Sequence, residues 1–274
     1  MKCLVLGHLV KDIIVKGSDR RLRIGGGAYY SSLVLSRFCE VEVWTSIGDD
    51  FPAEWLDDIR SLGVDLKIFP SRSTTVYELR YTSPDRELFL RSVAEPLREL
   101  PRKGYEMVIM NPVAGEIPPE LVKEAVKRFP LVSLDVQGFI RKPLLGKVSQ
   151  STLDASFLRS VKVVHADEKE ASHLTGFSPG DVEVFLVSRG GEKGTAYFQG
   201  RPYEFEPVKA DVVDTTGAGD VFLAAFSYFY TSCPFIQSLK RAVAFTALFL
   251  ERRSVDISAD ELGELAKNVS VKRV

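Results

Sequence analysis

CLVLG at residues 3–7 leads to AYYSSLVLSRF at 28–38, and VEVWTSI at 41–47 leads to PAEWLDDIRSL at 52–62. Each pair is a short β-rich apolar run followed by a helix-length stretch. The rhythm continues with MVIM (107–110) and PPELVKEAVKRF (118–129), LVSLDV (131–136), then VKVVHA (161–166) and EKEASHLTG (168–176). Strands apolar throughout and separated by helix-length segments read as βαβ units, so the pattern predicts α/β: a doubly wound, mostly parallel sheet with helices on both faces. Two segments break the rhythm. Residues 8–24 and 72–93 (RSTTVYELRYTSPDRELFLRSV) alternate polar and apolar side chains, with a turn at Ser83-Pro84-Asp85, as strands of a small sheet with one wet face do. Placed after early strands of a parallel sheet, they predict a small β lid over the strand ends where ligands of such folds bind. No repeat or linker interrupts residues 1–274, which are expected to form a single domain. The last third predicts two helices, 217–230 and about 235–251, too apolar for a surface position.

At 274 residues, 45% of them hydrophobic, a sizeable core is available. Basic side chains number 36 and acidic ones 37, so long-range attraction to nucleic acid or to an anionic membrane surface is missing and a small-molecule ligand is expected. The longest apolar runs, VFLAAFSYFY (221–230) and AVAFTALFL (242–250), are shorter than the roughly 20 residues that cross a bilayer. The N-terminal KCLVLGHLV runs into Lys11-Asp12 with no small-residue cleavage site, which suits a first buried strand and a cytoplasmic location. Cys3, Cys39 and Cys233 are far apart and odd in number, so they read as structural thiols and not as a disulfide framework or metal cluster. Asn and Gln together number six, a depletion that suggests a thermophilic source.

The chemistry concentrates in Asp214-Thr215-Thr216-Gly217-Ala218-Gly219-Asp220, which runs straight into the apolar helix. Small residues at 217–219 leave backbone N–H groups bare at a helix N-terminus, an anion site, and Asp220 adds a carboxylate in the first turn. The same residues also suit a tight turn with Asp214 as N-cap and Asp220 as an acid complementing the helix dipole. No G-x-x-x-x-G-K-[ST] occurs, and no G-x-G-x-x-G opens the helix after the first strand, which speaks against a dinucleotide-binding oxidoreductase. Gly25-Gly26-Gly27 precedes the first helix, where a ligand could touch bare backbone or the chain could simply turn. Asp12, five residues after Gly7, is placed for a carboxylate that accepts hydrogen bonds from vicinal hydroxyls, and equally for a surface acid.

In this order the pieces resemble the ribokinase/PfkB carbohydrate kinase family from residue 2 to about 255. DTTGAGD is similar to that family's second signature almost letter for letter. GGGAYYSSLVLSRF resembles the first, with Tyr30 where Asn is usual and Ser32 where Ala is. SIGDDFPAEWLDDIRSLGVDL follows the family's G-D-D pattern, Asp167-Glu168-Lys169-Glu170 lies where the family has N-x-x-E, and VSRGGEKGTAYF resembles its strand and turn along the nucleotide.

The resemblance implies ATP-dependent phosphorylation of an alcohol. Asp220 would be the base, with the N–H groups of Gly217, Ala218, Gly219 and Asp220 holding the transferring phosphoryl group. Glu170 and Asp167 would organise hydrated Mg2+. Ser188, Gly191 and Gly194, with Val243 and Ala247, would border the nucleotide. Asp12, Gly26 and Gly27 would hold the hydroxylated substrate. Asp135-Val136-Gln137-Gly138-Phe139-Ile140-Arg141 stands at the family's D-x-N-x-R and is similar to its inositol kinases. With Tyr30, Gln137 and Arg141 this points to a neutral cyclic polyol such as myo-inositol, Arg141 serving either substrate or ATP phosphate. Ribokinase-like, fructokinase-like and nucleoside kinases are the rival readings, a non-catalytic sugar- or nucleotide-binding regulator a more distant one. A homodimer through the lid is also implied.

Overall fold

The structure, a computed structural model, describes residues 1–82 and 85–274. The chain begins with β1 (Lys2–Leu6), β2 (Val10–Lys16), β3 (Asp19–Gly25), α1 (Gly27–Leu35), β4 (Glu40–Ile47), α2 (Ala53–Ser61) and β5 (Val64–Pro70). It continues with β6 (Thr75–Thr82), β7 (Asp85–Ser92), β8 (Met107–Met110), α3 (Pro119–Arg128), β9 (Val132–Asp135), α4 (Gln137–Ile140), β10 (Gly146–Lys147) and β11 (Leu153–Asp154). Then come β12 (Val163–Asp167), α5 (Glu168–Ala171), β13 (Leu174–Thr175), β14 (Val184–Arg189), β15 (Glu192–Phe198) and β16 (Arg201–Phe205). Finally α6 (Ala218–Tyr230), α7 (Phe235–Arg252), α8 (Ala259–Lys267) and β17 (Val271–Arg273) close the chain.

The large sheet has the order β17-β16-β15-β14-β12-β9-β8-β1-β4-β5. From β14 to β5 every neighbouring pair is parallel, and β15, β16 and β17 extend it antiparallel. The chain leaves β1 toward β4 and β5 and later returns to lay β8, β9, β12 and β14 on its other side. That reversal opens a crevice at the carboxyl ends of the strands. Alternation within β1 shows why its run is apolar throughout: Cys3 and Val5 enter a core with α1, α6 and α7, while Leu4 and Leu6 enter a second core with α3 on the opposite face. The two apolar helices are buried as their composition requires, with Phe226, Phe245 and Phe249 sealed between them and α1.

A second sheet, β10-β7-β6-β2-β3, forms the expected lid, with β2 and β6 parallel and the other pairs antiparallel. Val10, Tyr77, Leu79 and Leu90 turn inward against Val113 and Ala114, while Glu78 on the other side is held by Arg80 and Arg91. The two-residue strand β10 comes from a segment too short and polar to read as a strand. The expected turn at Ser83-Pro84-Asp85 falls at Ser83 and Pro84, outside the described residues. One reading from the sequence is corrected: Cys3 and Cys39 are not far apart, because the pairing of β1 with β4 brings their sulfurs together. Among the described residues no helix is long and apolar enough to cross a membrane.

Candidate active site

Gly217 caps α6 with a left-handed φ of 80°, and a β-carbon there would stand 2.5 Å from the ring of Tyr30. Only glycine fits that position on both counts. Asp214 is not the N-cap. Its carboxylate accepts from the N–H (2.8 Å) and hydroxyl (2.7 Å) of Thr216 and pairs with Arg23 at 2.5 Å. Burial would raise its pKa, yet Arg23 and Thr216 hold it well below the usual carboxylate range. From the other side Arg253 donates to the carbonyls of Asp214 (3.0 Å) and Thr216 (2.8 Å). The loop is thus pinned by two guanidinium groups. The Ala218 N–H is spent on Thr215 O, so the expectation of four free donors is reduced to three: Gly217, Gly219 and Asp220 keep N–H groups without a backbone partner among the described residues.

Asp220 is buried in the first turn of α6, and its Oδ1 accepts from Gln137 Nε2 at 3.0 Å. Burial and the neighbouring Asp135 push its pKa up to about 7, against the pull of Arg141 and His165. Asp135 receives the Gln137 N–H on Oδ1 and faces His165 Nδ1 at 2.6 Å on Oδ2. The other His165 nitrogen lies 3.0 Å from Ser188 Oγ. Burial opposes a charge on this imidazole, but Asp135 outweighs it and the His165 pKa is raised. The ring lies directly beneath the anion loop: a β-carbon on Gly219 would meet Cε1 at 2.9 Å.

Asp167 and Glu170 cap α5 reciprocally: Asp167 Oδ1 accepts the Glu170 N–H (2.7 Å) and Glu170 Oε2 accepts the Asp167 N–H (3.0 Å). Glu170 is buried, not on a solvated face, and burial together with Asp135 lifts its pKa to about 7. Asp12, on β2, is also buried. Desolvation raises its pKa to about 6 although Arg23, Arg141 and Arg86 pull it down.

These residues share one cleft of 470 Å3 at the carboxyl ends of the parallel strands. Asp12, Gly26, Gly27, Tyr30, Gln137 and Arg141 line it together with Asp167, Glu170, Ser188 and the loop from Thr215 to Asp220. Gln137 enters by an unforeseen route, since its amide donates to Asp220. A narrower apolar slot of 170 Å3 adjoins the cleft, sharing Ser188, Thr215, Ala218 and Gly219, and is walled by Gly191, Phe205, Phe222, Val243 and Ala247. Gly194 borders neither space. It faces Phe205 across β15 and β16, and a β-carbon would lie 2.2 Å from that ring, so its part is to admit a wall residue of the slot. A larger depression of 1050 Å3 around Tyr230 and Phe235, at the amino ends of the strands, holds none of these groups.

Sequence reasoning missed His165, Arg23 and Arg253. His165 carried one faint signal, a polar residue inside VKVVHA two places before Asp167; the arginines gave none, because the fold brings them from β3 and from beyond α7.

Residues 138–262 match the family model of pfkB family carbohydrate kinases. An inositol 3-kinase of Arabidopsis thaliana is 28% identical over 245 residues, 81% of this chain, and a cytidine kinase of Thermococcus kodakarensis 26% identical over 248 residues, also 81%. The match spans 66% of the plant protein and 86% of the archaeal one. A solved pyrophosphate-dependent kinase in the ribokinase family, in complex with sulfate, superposes with a TM-score of 0.82 at 26% identity, covering 95% of this chain and 99% of its own. Sheet order, anion loop and relatives converge on a ribokinase-like fold, and residues 138–262 carry the match to the pfkB family carbohydrate kinases.

Proposed function

We propose that this chain transfers the terminal phosphoryl group of ATP to a hydroxyl of a small neutral polyol, with myo-inositol as the acceptor. The observation that carries the reading is Asp220: a buried carboxylate in the first turn of the anion-loop helix, fixed by Gln137 beside three bare N–H groups. A pKa of about 7 suits a general base at neutral pH. In this reading ionised Asp220 takes the acceptor's proton as its oxygen attacks phosphorus, and the N–H groups of Gly217, Gly219 and Asp220 hold the phosphoryl oxygens. Asp12 accepts from two adjacent hydroxyls, and Gly26 and Gly27 let the ring approach the backbone. The unshared oxygens of Asp167 and Glu170 suit a Mg2+ ion held through water, since neither carboxylate forms a protein-only cage; among the described residues no three His, Cys, Asp or Glu gather as one. The ion, when bound, would neutralise charge on the donor phosphates.

The inositol 3-kinase relative supports the polyol, and the Gln137 motif agrees with it. The cytidine kinase favours a nucleoside as the second reading. For the donor, the pyrophosphate-dependent neighbour favours pyrophosphate, but a purely phosphate donor leaves the apolar slot unfilled, whereas a purine ring would fill it. Initial rates with myo-inositol, ribose, fructose, adenosine and cytidine, each with ATP or pyrophosphate and Mg2+, test all of these at once. We expect the highest kcat/KM for myo-inositol with ATP. A tenfold preference for any other acceptor would end the inositol assignment, and a preference for pyrophosphate the ATP assignment, while leaving the transferase intact.

A further inference from the structure

The sulfurs of Cys3 and Cys39 lie 2.6 Å apart although 36 positions separate them in the chain. The juxtaposition is built by the backbone. Lys2 pairs with Glu40 and Cys3 with Val41 across parallel β1 and β4, which sets Cys39 diagonally opposite Cys3. The N–H of Cys39 bonds to Leu35 O at 3.0 Å in the last turn after α1, so its position is fixed before β4 begins. The Cys3 thiol donates to Cys39 Sγ, and the Cys39 thiol donates to Leu35 O at 3.4 Å. Cys3 is fully buried while Cys39 reaches solvent in part. Cys233, on the turn after α6, is instead approached by Arg241 at 3.3 Å.

We propose that Cys3 and Cys39 are a disulfide-forming pair, oxidised by exchange with a low-molecular-weight disulfide such as oxidised glutathione. The sulfurs need close only to the bond length of about 2.05 Å, without a change of strand register. The Cys39 thiolate, the accessible one, attacks one sulfur of the small disulfide and releases one small thiol. Cys3 then gives its proton to solvent, attacks the Cys39 sulfur and expels the second. Two protein thiols and one small disulfide become one protein disulfide and two small thiols, so electrons and protons balance. The hydrogen bond to Cys39 and burial hold the Cys3 thiol far above its ordinary pKa, which makes the second step the slow one. The closed loop runs from β1 past α1 and carries Asp12, Gly26, Gly27 and Tyr30 of the cleft, although neither cysteine lines it. The bond therefore acts on the cleft only through the segment that carries these residues.

The test uses the full chain, reduced, desalted, incubated with oxidised glutathione, then denatured and alkylated. Of its three cysteines only Cys233 should take alkylating agent. The mass should fall by two hydrogens, and digestion should link the Cys3 peptide to the Cys39 peptide. A cross-link closing a loop of this size should raise Tm by about 5–10 °C, reversibly with dithiothreitol. Cys39→Ser should show neither the link nor the rise. Three alkylated cysteines after oxidation, a persistent glutathione adduct at Cys39, or a link that includes Cys233 would each overturn the proposal.

Discussion

The cleft and the slot meet along the first turn of α6 and are built by opposite means. The cleft gathers Asp12, Asp135, Glu170, Asp220, His165 and Arg141 in a buried space, and three of its carboxyl groups are pushed up to about 6 or 7. The slot is walled by Phe205, Phe222, Val243, Ala247 and Leu250. One region works through charge states and the other through shape. A change in the first should therefore appear in kcat and in pH dependence, and a change in the second in the KM of one substrate.

The largest effect is expected from Asp220→Asn, which keeps shape and removes the proton acceptor. Its kcat should fall by about 10² to 10⁴ while ATP still binds. In the parent, the base must be ionised to act, so kcat/KM should rise with pH through about 7 and level off above it. A variant within threefold of the parent would remove Asp220 from the chemistry.

Gly219→Val should follow, with a loss of roughly 10² or more. Its cause is steric, because φ at Gly219 is not positive; the positive φ belongs to Gly217, and the added β-carbon would instead press on His165. Unaltered turnover in a variant with a parental circular dichroism spectrum would show that neither phosphate nor imidazole needs that space.

Ala247→Phe fills the slot and breaks the comparison from its other side. KM for ATP should rise about tenfold with the acceptor KM unmoved, as expected when volume is added to a packed pocket. An equal rise in both would mean that the two regions are not separable. Smallest is Glu170→Gln, which should shift the Mg2+ titration toward higher metal by a few-fold. An unmoved midpoint would leave Glu170 only its capping bond to Asp167.

Sequence made the periodic and the contiguous parts of this molecule legible. The βα rhythm announced the sheet, and DTTGAGD announced the loop, because each is a local pattern with a local physical cause. What stayed hidden depends on register. His165 meets Asp135 because β12 and β9 align them as partners, and Ser188 reaches the same imidazole from β14. Cys3 and Cys39 read as distant until β1 and β4 pair. Gly194 read as part of the nucleotide border because its neighbours are, and only the cross-strand ring of Phe205 gives its reason.

Arg253 has a mechanical consequence. It sits in a left-handed turn at the end of α7 and holds the carbonyls of Asp214 and Thr216, while α7 itself carries Val243 and Ala247 into the slot. The wall of the slot and the loop before α6 are thus joined at the end of one helix. A displacement of α7 would reach the loop through Arg253, through the bond from the Val213 N–H to Leu250 O and through the packing of α7 on α6, so that what fills the slot would bear on the set of the loop.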